Sequence, residues 1–121
     1  ALEFAADAGA AESYGFAIEN SIIDWRPMLR AILDDMDAGL SASDISGKFH
    51  ATLAAMIVAA AQRAGLGDIL LTGGCFQNPL LLEMAVDALG AAGFKAHWHR
   101  QVPPNDGGLA LGQVMALAHV L

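Results

Sequence analysis

Asp68-Ile69-Leu70-Leu71-Thr72-Gly73-Gly74-Cys75-Phe76-Gln77-Asn78-Pro79 (residues 68–79) is the stretch that decides the fold. The apolar run is too short for a helix and is bounded by turn formers, so it reads as a buried strand. Asn78 suits a helix N-cap, and Pro79 at the first helical position loses no hydrogen bond that the helix needs. The helix it opens is predicted over 79–92 and stops at Gly93. Phe94 to His99 then reads as a second strand. Strand, tight turn, helix and strand in that order favour parallel strands, near 69–72 and 94–98, joined by a right-handed crossover. The class is therefore α/β.

Working outward, residues 1–11 are Ala-rich and predicted helical. Tyr14 to Ile23 is predicted as an extended segment broken at Glu19-Asn20. Asp24 is a candidate N-cap for a helix to about Asp37, with Trp25, Met28, Leu29, Ile32, Leu33 and Met36 at helical spacing. Ser41 and Asp44 have capping-box spacing, and the helix behind them runs to about Ala64, where Gly65 closes it. Downstream, 100–105 is a Pro-rich loop, and Gly107 to Val120 is a final helix. The whole is helix-rich with a small mixed or parallel sheet, and residues 1–121 are read as one domain.

Composition narrows the function classes. Of 121 residues, 55% are hydrophobic and 16% charged, enough apolar material for a core. No uncharged apolar run reaches the roughly 18 residues of a membrane span. A net charge of −7 with only six Lys and Arg argues against nucleic acid as a partner. The start ALEFAADAGA has no basic n-region and no initiator Met; it is read as a cut from a longer polypeptide rather than a signal peptide. The single Cys75 forms no internal disulfide, fits a cytoplasmic location, and is expected to be a small buried hydrophobe.

Two loops carry candidate chemistry. Gly73 and Gly74 follow a strand, where open α/β sheets bind ligands, and two glycines let backbone N–H groups approach a phosphate. A plain βα turn would use the same glycines for geometry alone. In Pro103-Pro104-Asn105-Asp106-Gly107-Gly108, Asp106 is either a helix N-cap or a carboxylate ligand for a divalent metal. His97 and His99 share one strand face and are assigned surface or packing roles. His119 suits a helix C-terminus, and His50, beside an apolar stripe, is expected to be a half-buried structural residue. The sequence holds no HxxxH, HExxH or CxxC, so it cannot complete a typical metal site by itself.

Taken together, LTGGCFQN (71–78) and VPPNDGGLALGQ (102–113) resemble the C-terminal segment of the HypF-type carbamoyltransferases. FHATLAAMIVAAA (49–61) and IIDWRPMLRAILDDM (22–36) fit the same family, so the resemblance covers residues 14–121. It is more distant to the tRNA threonylcarbamoyl-transferase TsaD and the O-carbamoyltransferase TobZ. The resemblance implies the C-terminal lobe of an actin, sugar kinase and Hsp70-like (ASKHA) fold. It implies a parent that makes carbamoyl-adenylate from carbamoyl phosphate and ATP, then passes the carbamoyl group to the C-terminal Cys thiol of a HypE-like acceptor in [NiFe]-hydrogenase maturation. On this chain it implies that Gly73, Gly74, Asn78, Gly107 and Gly108 lie at the nucleotide and that Asp106 binds a divalent metal, Fe or Zn. The family's paired metal-binding histidines and its carbamoyl-phosphate-handling domains are not in this sequence.

The chain is therefore expected to work with the rest of a HypF-like protein. The alternative is a non-catalytic assembly module of the same family; a sugar kinase fits worst. A face left by the missing lobe would be apolar and would favour self-association as a homodimer. Alone, the 121-residue chain should form no carbamoyl-adenylate. Carbamoyl-phosphate-dependent ATP–pyrophosphate exchange should stay at background, and measurable exchange by the purified chain would contradict this.

Overall fold

The computed structural model describes residues 12–120. The helix expected over 1–11 lies outside the described residues. The decisive segment folds as read: β3 (Asp68–Leu71), a 3₁₀ turn (Gly74–Gln77), α3 (Pro79–Ala91) and β4 (Lys95–Trp98). β3 and β4 pair in parallel, with Asp68 opposite Lys95 and Leu71 opposite Trp98. The strand period of two sends Ile69, Leu71, Ala96 and Trp98 into one cluster with Ala61, Ala85 and Leu89. The other face carries Asp68, Leu70, Lys95 and His97, all exposed. Gly93 stops the helix in the left-handed region, φ +88°, as a C-terminal glycine should.

Upstream, β1 (Ala17–Glu19) and β2 (Ile22–Asp24) form an antiparallel hairpin. Its two-residue turn is Asn20-Ser21, both with positive φ (50° and 64°), the handedness that matches strand twist. The predicted break at Glu19-Asn20 thus falls one residue early. Trp25, which makes no side-chain cap bond, holds the N-cap position of α1 (Arg26–Asp37), one residue past the expected Asp24. Asp24 is instead paired with Arg26: its carboxylate accepts from the Arg26 backbone N–H (3.0 Å) and from the guanidinium (2.7 Å).

α2 (Ala42–Ala64) begins on the predicted capping box. Ser41 Oγ accepts from Asp44 N–H at 3.1 Å and donates to the Asp44 carboxylate at 2.7 Å. This helix separates two apolar clusters, one holding Tyr14, Phe16, Met28 and Met56, the other against the βαβ unit. Its most buried positions include the small residues Ala51, Ala54, Ala59 and Ala61. Small side chains admit neighbouring elements on both sides.

A polar staple fixes the start of the described chain to α1 and α2. Thr52, fully buried, accepts the Tyr14 backbone N–H at 2.8 Å and donates to the Lys48 carbonyl at 2.7 Å. Tyr14 Oη donates to Asp35 at 2.8 Å, and Lys48 Nζ reaches the same carboxylate oxygen at 2.5 Å. Burial, then the Asp35 carboxylate, pushes the Tyr14 hydroxyl up to about 12. Lys48, then Tyr14, holds Asp35 below its ordinary value.

The last helix, α4 (Leu109–Val120), follows a 3₁₀ turn over Asp106–Gly108. It is apolar around most of its circumference yet has no buried residue. No helix among the described residues is long and apolar enough to cross a membrane.

The staple makes a pH-dependent contribution of known sign. A carboxylate whose folded pKa is depressed stabilises the fold above its unfolded pKa, ~3.9 for Asp, and that contribution fades as pH falls through the folded value. Asp35→Asn should therefore lower the urea midpoint by a constant amount above about pH 5. Below about pH 4 the gap to the parent chain should close. A gap unchanged down to pH 2 would show that Asp35 is not held by its charge.

Candidate functional site

The carboxyl end of β3 meets the Pro-rich loop. Gly73 leaves the strand at φ +105°, ψ 158°, a conformation essentially reserved for glycine. In that pose its N–H donates to the Pro104 carbonyl at 2.7 Å. The two loops singled out in the sequence are thus joined by a direct backbone hydrogen bond. Beyond it, the Phe76 N–H closes the 3₁₀ turn on the Gly73 carbonyl at 3.1 Å. A Cβ on Gly74 would lie 4.0 Å from the Asn105 Cβ, so the second glycine marks where the loops face each other at ordinary contact distance.

The second loop is shaped from within. Asn105 is the capping residue of the Asp106–Gly108 turn, and its Oδ1 accepts the Gly107 N–H at 2.9 Å. The N-cap reading of Asp106 is therefore replaced: the neighbour caps, and Asp106 sits at the first position of the turn. Its carboxylate is exposed and makes no hydrogen bond or ion pair among the described residues. Gly107 and Gly108 are required by packing: a Cβ would come within 2.9 Å of Asn105 Oδ1 at the first and 2.8 Å of the Pro103 carbonyl oxygen at the second. Both glycines let the chain fold tightly back over 102–105.

Between this loop, the end of the sheet and α4 lies an open cavity of about 380 Å³. Thr72, His99, Pro104, Asn105, Leu109 and Gln113 contribute to its walls. Thr72 Oγ1 and His99 Nε2 are 2.9 Å apart across the two strands. His99, expected in a surface or packing role, thus lines the cavity. Strand alternation, which places residues 68, 70 and 72 on the face of 95, 97 and 99, was the available signal. His97 shares that face as expected but lies further from the loops, paired with Asp68 at 2.8 Å. That pairing holds the Asp68 carboxyl below its ordinary value. Cys75, expected to be buried, is exposed on the turn, because Phe76 and not Cys75 packs into the βαβ cluster.

Asn78 caps α3, its Oδ1 accepting from Leu80 N–H (3.0 Å) and Leu81 N–H (3.3 Å). On its other side the amide nitrogen lies 2.9 Å from His50 Nε2. Among the described residues no group of three or more His, Cys, Asp or Glu could hold a metal, so Asp106 offers one donor and no complete site.

Comparison with known proteins assigns this arrangement. The model of the second subdomain of the carbamoyltransferase Kae1-like domain, a HypF C-terminal family, matches residues 1–113. The chain belongs to the HypF carbamoyltransferase family. It is 42% identical over 94 residues to the carbamoyltransferase HypF of Synechocystis, covering 78% of this chain and 12% of that protein. A HypF homolog of Cupriavidus necator is 36% identical over 107 residues, covering 83% of this chain and 27% of the homolog. Among solved structures, full-length HypF in a phosphate- and nucleotide-bound form superposes with a TM-score of 0.82 at 34% identity, over 94% of this chain and 16% of that one. The HypF of T. kodakarensis gives 0.73 at 26% identity, over 86% of this chain and 14% of that one. The chain thus corresponds to the C-terminal carbamoyltransferase-like domain of HypF and spans a small part of those proteins.

The two glycines of the first loop should separate in mutation. Gly73→Ala forces a side chain into a conformation costing on the order of 1–3 kcal/mol and should lower the urea midpoint. Gly74→Ala meets nothing closer than 4.0 Å and should leave stability within about 0.5 kcal/mol. Equal losses in denaturant titrations of the two variants would contradict the assigned geometry.

Proposed function

We propose that this chain is the nucleotide- and metal-facing lobe of a HypF-type carbamoyltransferase with an ASKHA-type fold. The observation that carries the reading is the Gly73–Pro104 hydrogen bond, which joins the Gly-Gly turn to the loop that carries the exposed Asp106 two residues on. A HypF relative of high structural similarity is known in a phosphate- and nucleotide-bound form, which supports a nucleotide at this junction.

The residues divide the work. Gly73 spends its N–H on Pro104 and so holds the loop. Gly74, at the start of the turn, has no acceptor for its N–H among the described residues and is the donor offered to a phosphate oxygen. Gly107 and Gly108 keep the second loop folded back, and Asp106 in that loop is exposed. Its carboxylate fits a divalent cation as one hard oxygen donor. The remaining ligands come from the rest of the polypeptide, where the family resemblance puts a histidine pair. A divalent metal, Fe or Zn, supplies charge stabilisation to phosphoryl oxygens when bound.

In this proposal the parent protein works in the cytoplasm. It hydrolyses carbamoyl phosphate to carbamate and phosphate, joins the carbamate to ATP as carbamoyl-adenylate with loss of pyrophosphate, and delivers the carbamoyl group to the terminal Cys thiol of a HypE-like acceptor, with AMP leaving. The lobe contributes adenylate binding and one metal ligand, while the upstream part contributes the carbamoyl-phosphate chemistry.

Asp106→Asn in the full-length protein tests the assignment. Because Asn105 does the capping, the substitution should change stability by no more than about 0.5 kcal/mol. Metal content and carbamoyl transfer should both collapse, since a neutral amide is a poor ligand for a divalent cation. Full metal content with full transfer activity would remove Asp106 from the site.

A further inference from the structure

Asn78 has no idle side-chain atom. Two backbone donors, Leu80 N–H and Leu81 N–H, face one end of its amide, and that end must be the oxygen. The nitrogen then points at His50 Nε2, 2.9 Å away. The other imidazole nitrogen, Nδ1, lies 2.8 Å from the Ser46 carbonyl oxygen, which can only accept. Nδ1 therefore carries the proton and Nε2 presents its lone pair to Asn78, so each bond fixes the sense of the next. The Phe49 ring meets the imidazole edge-on, with centroids 5.6 Å apart, and further restricts its orientation.

This relay ends on the turn that faces the site. The Asn78 backbone N–H donates to the Cys75 carbonyl at 3.2 Å, and Phe76 N–H to the Gly73 carbonyl at 3.1 Å, so Asn78 and residues 73–77 move as one piece. One end of that piece is tied to Pro104 through Gly73. At the other end, the tie is His50 on α2, the helix packed against both apolar clusters. The turn is thereby held at two points, one of them on a helix that packs into both apolar clusters.

We infer that His50 is a positioning residue for the Gly73–Gln77 turn, acting through Asn78, whose side chain anchors the turn to α2. The inference takes its ligand, a nucleoside triphosphate, from the function proposed above. Its geometry is independent of that reading. Without an acceptor at residue 50, Asn78 keeps its cap but loses its anchor, and the turn pivots about Gly73. Displacements on the order of 1 Å are enough to spoil hydrogen bonds to a phosphate.

The test uses the full-length protein with three substitutions. His50→Gln places an amide oxygen near the position of Nε2, whereas His50→Phe keeps the ring volume and removes the acceptor. Asn78→Asp keeps the cap, since Asp and Asn cap equally well, and removes the donor. Binding of a non-hydrolysable ATP analogue with Mg²⁺ is measured by calorimetry, and amide shifts of Gly73 to Phe76 by NMR with residue-selective labelling. His50→Phe and Asn78→Asp should each weaken the analogue about tenfold and shift the turn amides, while His50→Gln stays within about threefold. Unchanged binding and unchanged amides in His50→Phe and Asn78→Asp would overturn the anchor. So would equal loss in His50→Gln and His50→Phe, because the imidazole would then act by direct contact. If the unmodified protein binds no analogue, the nucleotide reading fails. The anchor then stands or falls on the turn amides alone, which must shift in His50→Phe and not in His50→Gln. Should His50→Phe fail to fold, the same decision rests on Asn78→Asp against His50→Gln.

Discussion

The Gly73 N–H to Pro104 carbonyl hydrogen bond ties together two loops that are far apart in sequence and that neither β3 nor α4 could bring into register alone. It exists because Gly73 occupies a backbone conformation that a Cβ would forbid. It also depends on Pro104, whose ring stiffens the approach of the second loop. Everything proposed for the site follows from this junction. The turn beyond Gly73 faces Asn105, Asn105 does the capping that Asp106 is then spared, Gly107 and Gly108 allow the tight fold of the loop, and Asp106 is exposed.

The scaffold behind the junction is asymmetric. α2 lies between two apolar clusters and carries the alanines that let both approach closely. By contrast, α4 and the outer face of the β3–β4 pair leave large apolar side chains in solvent, with Leu70 63% and Val120 83% exposed. Parallel sheets are ordinarily covered on both faces. A chain that spans 12% of its Synechocystis relative accounts for such surface if the remainder of the polypeptide lies against it.

Much of the fold was legible because local signals agreed. Asn78-Pro79, Gly93, the Ser41–Asp44 box and Gly65 each set an element end by backbone chemistry, and each appears where it was read. The failures share a cause. Whether Asp106 or Asn105 caps the last turn, and whether Asp24 or Trp25 precedes α1, depends on a shift of one residue that side-chain type alone does not resolve. Burial of Cys75 was misjudged because a 3₁₀ turn, not a regular helix, follows the strand and exchanges the inward place of Cys75 for Phe76. His50 and His99 meet their partners across 28 and 27 residues, respectively. Such pairings are set by how α2 and β4 pack, which no local pattern encodes.

The most direct test of the junction is the scalar coupling across the hydrogen bond between the Gly73 amide nitrogen and the Pro104 carbonyl carbon, measured by NMR on labelled protein. A resolved coupling, with slow exchange of the Gly73 amide, is the expected result for a bond of 2.7 Å. No coupling, together with a Gly73 amide that exchanges as fast as an open loop, would mean that the two loops are not joined and that the junction described for the site does not exist.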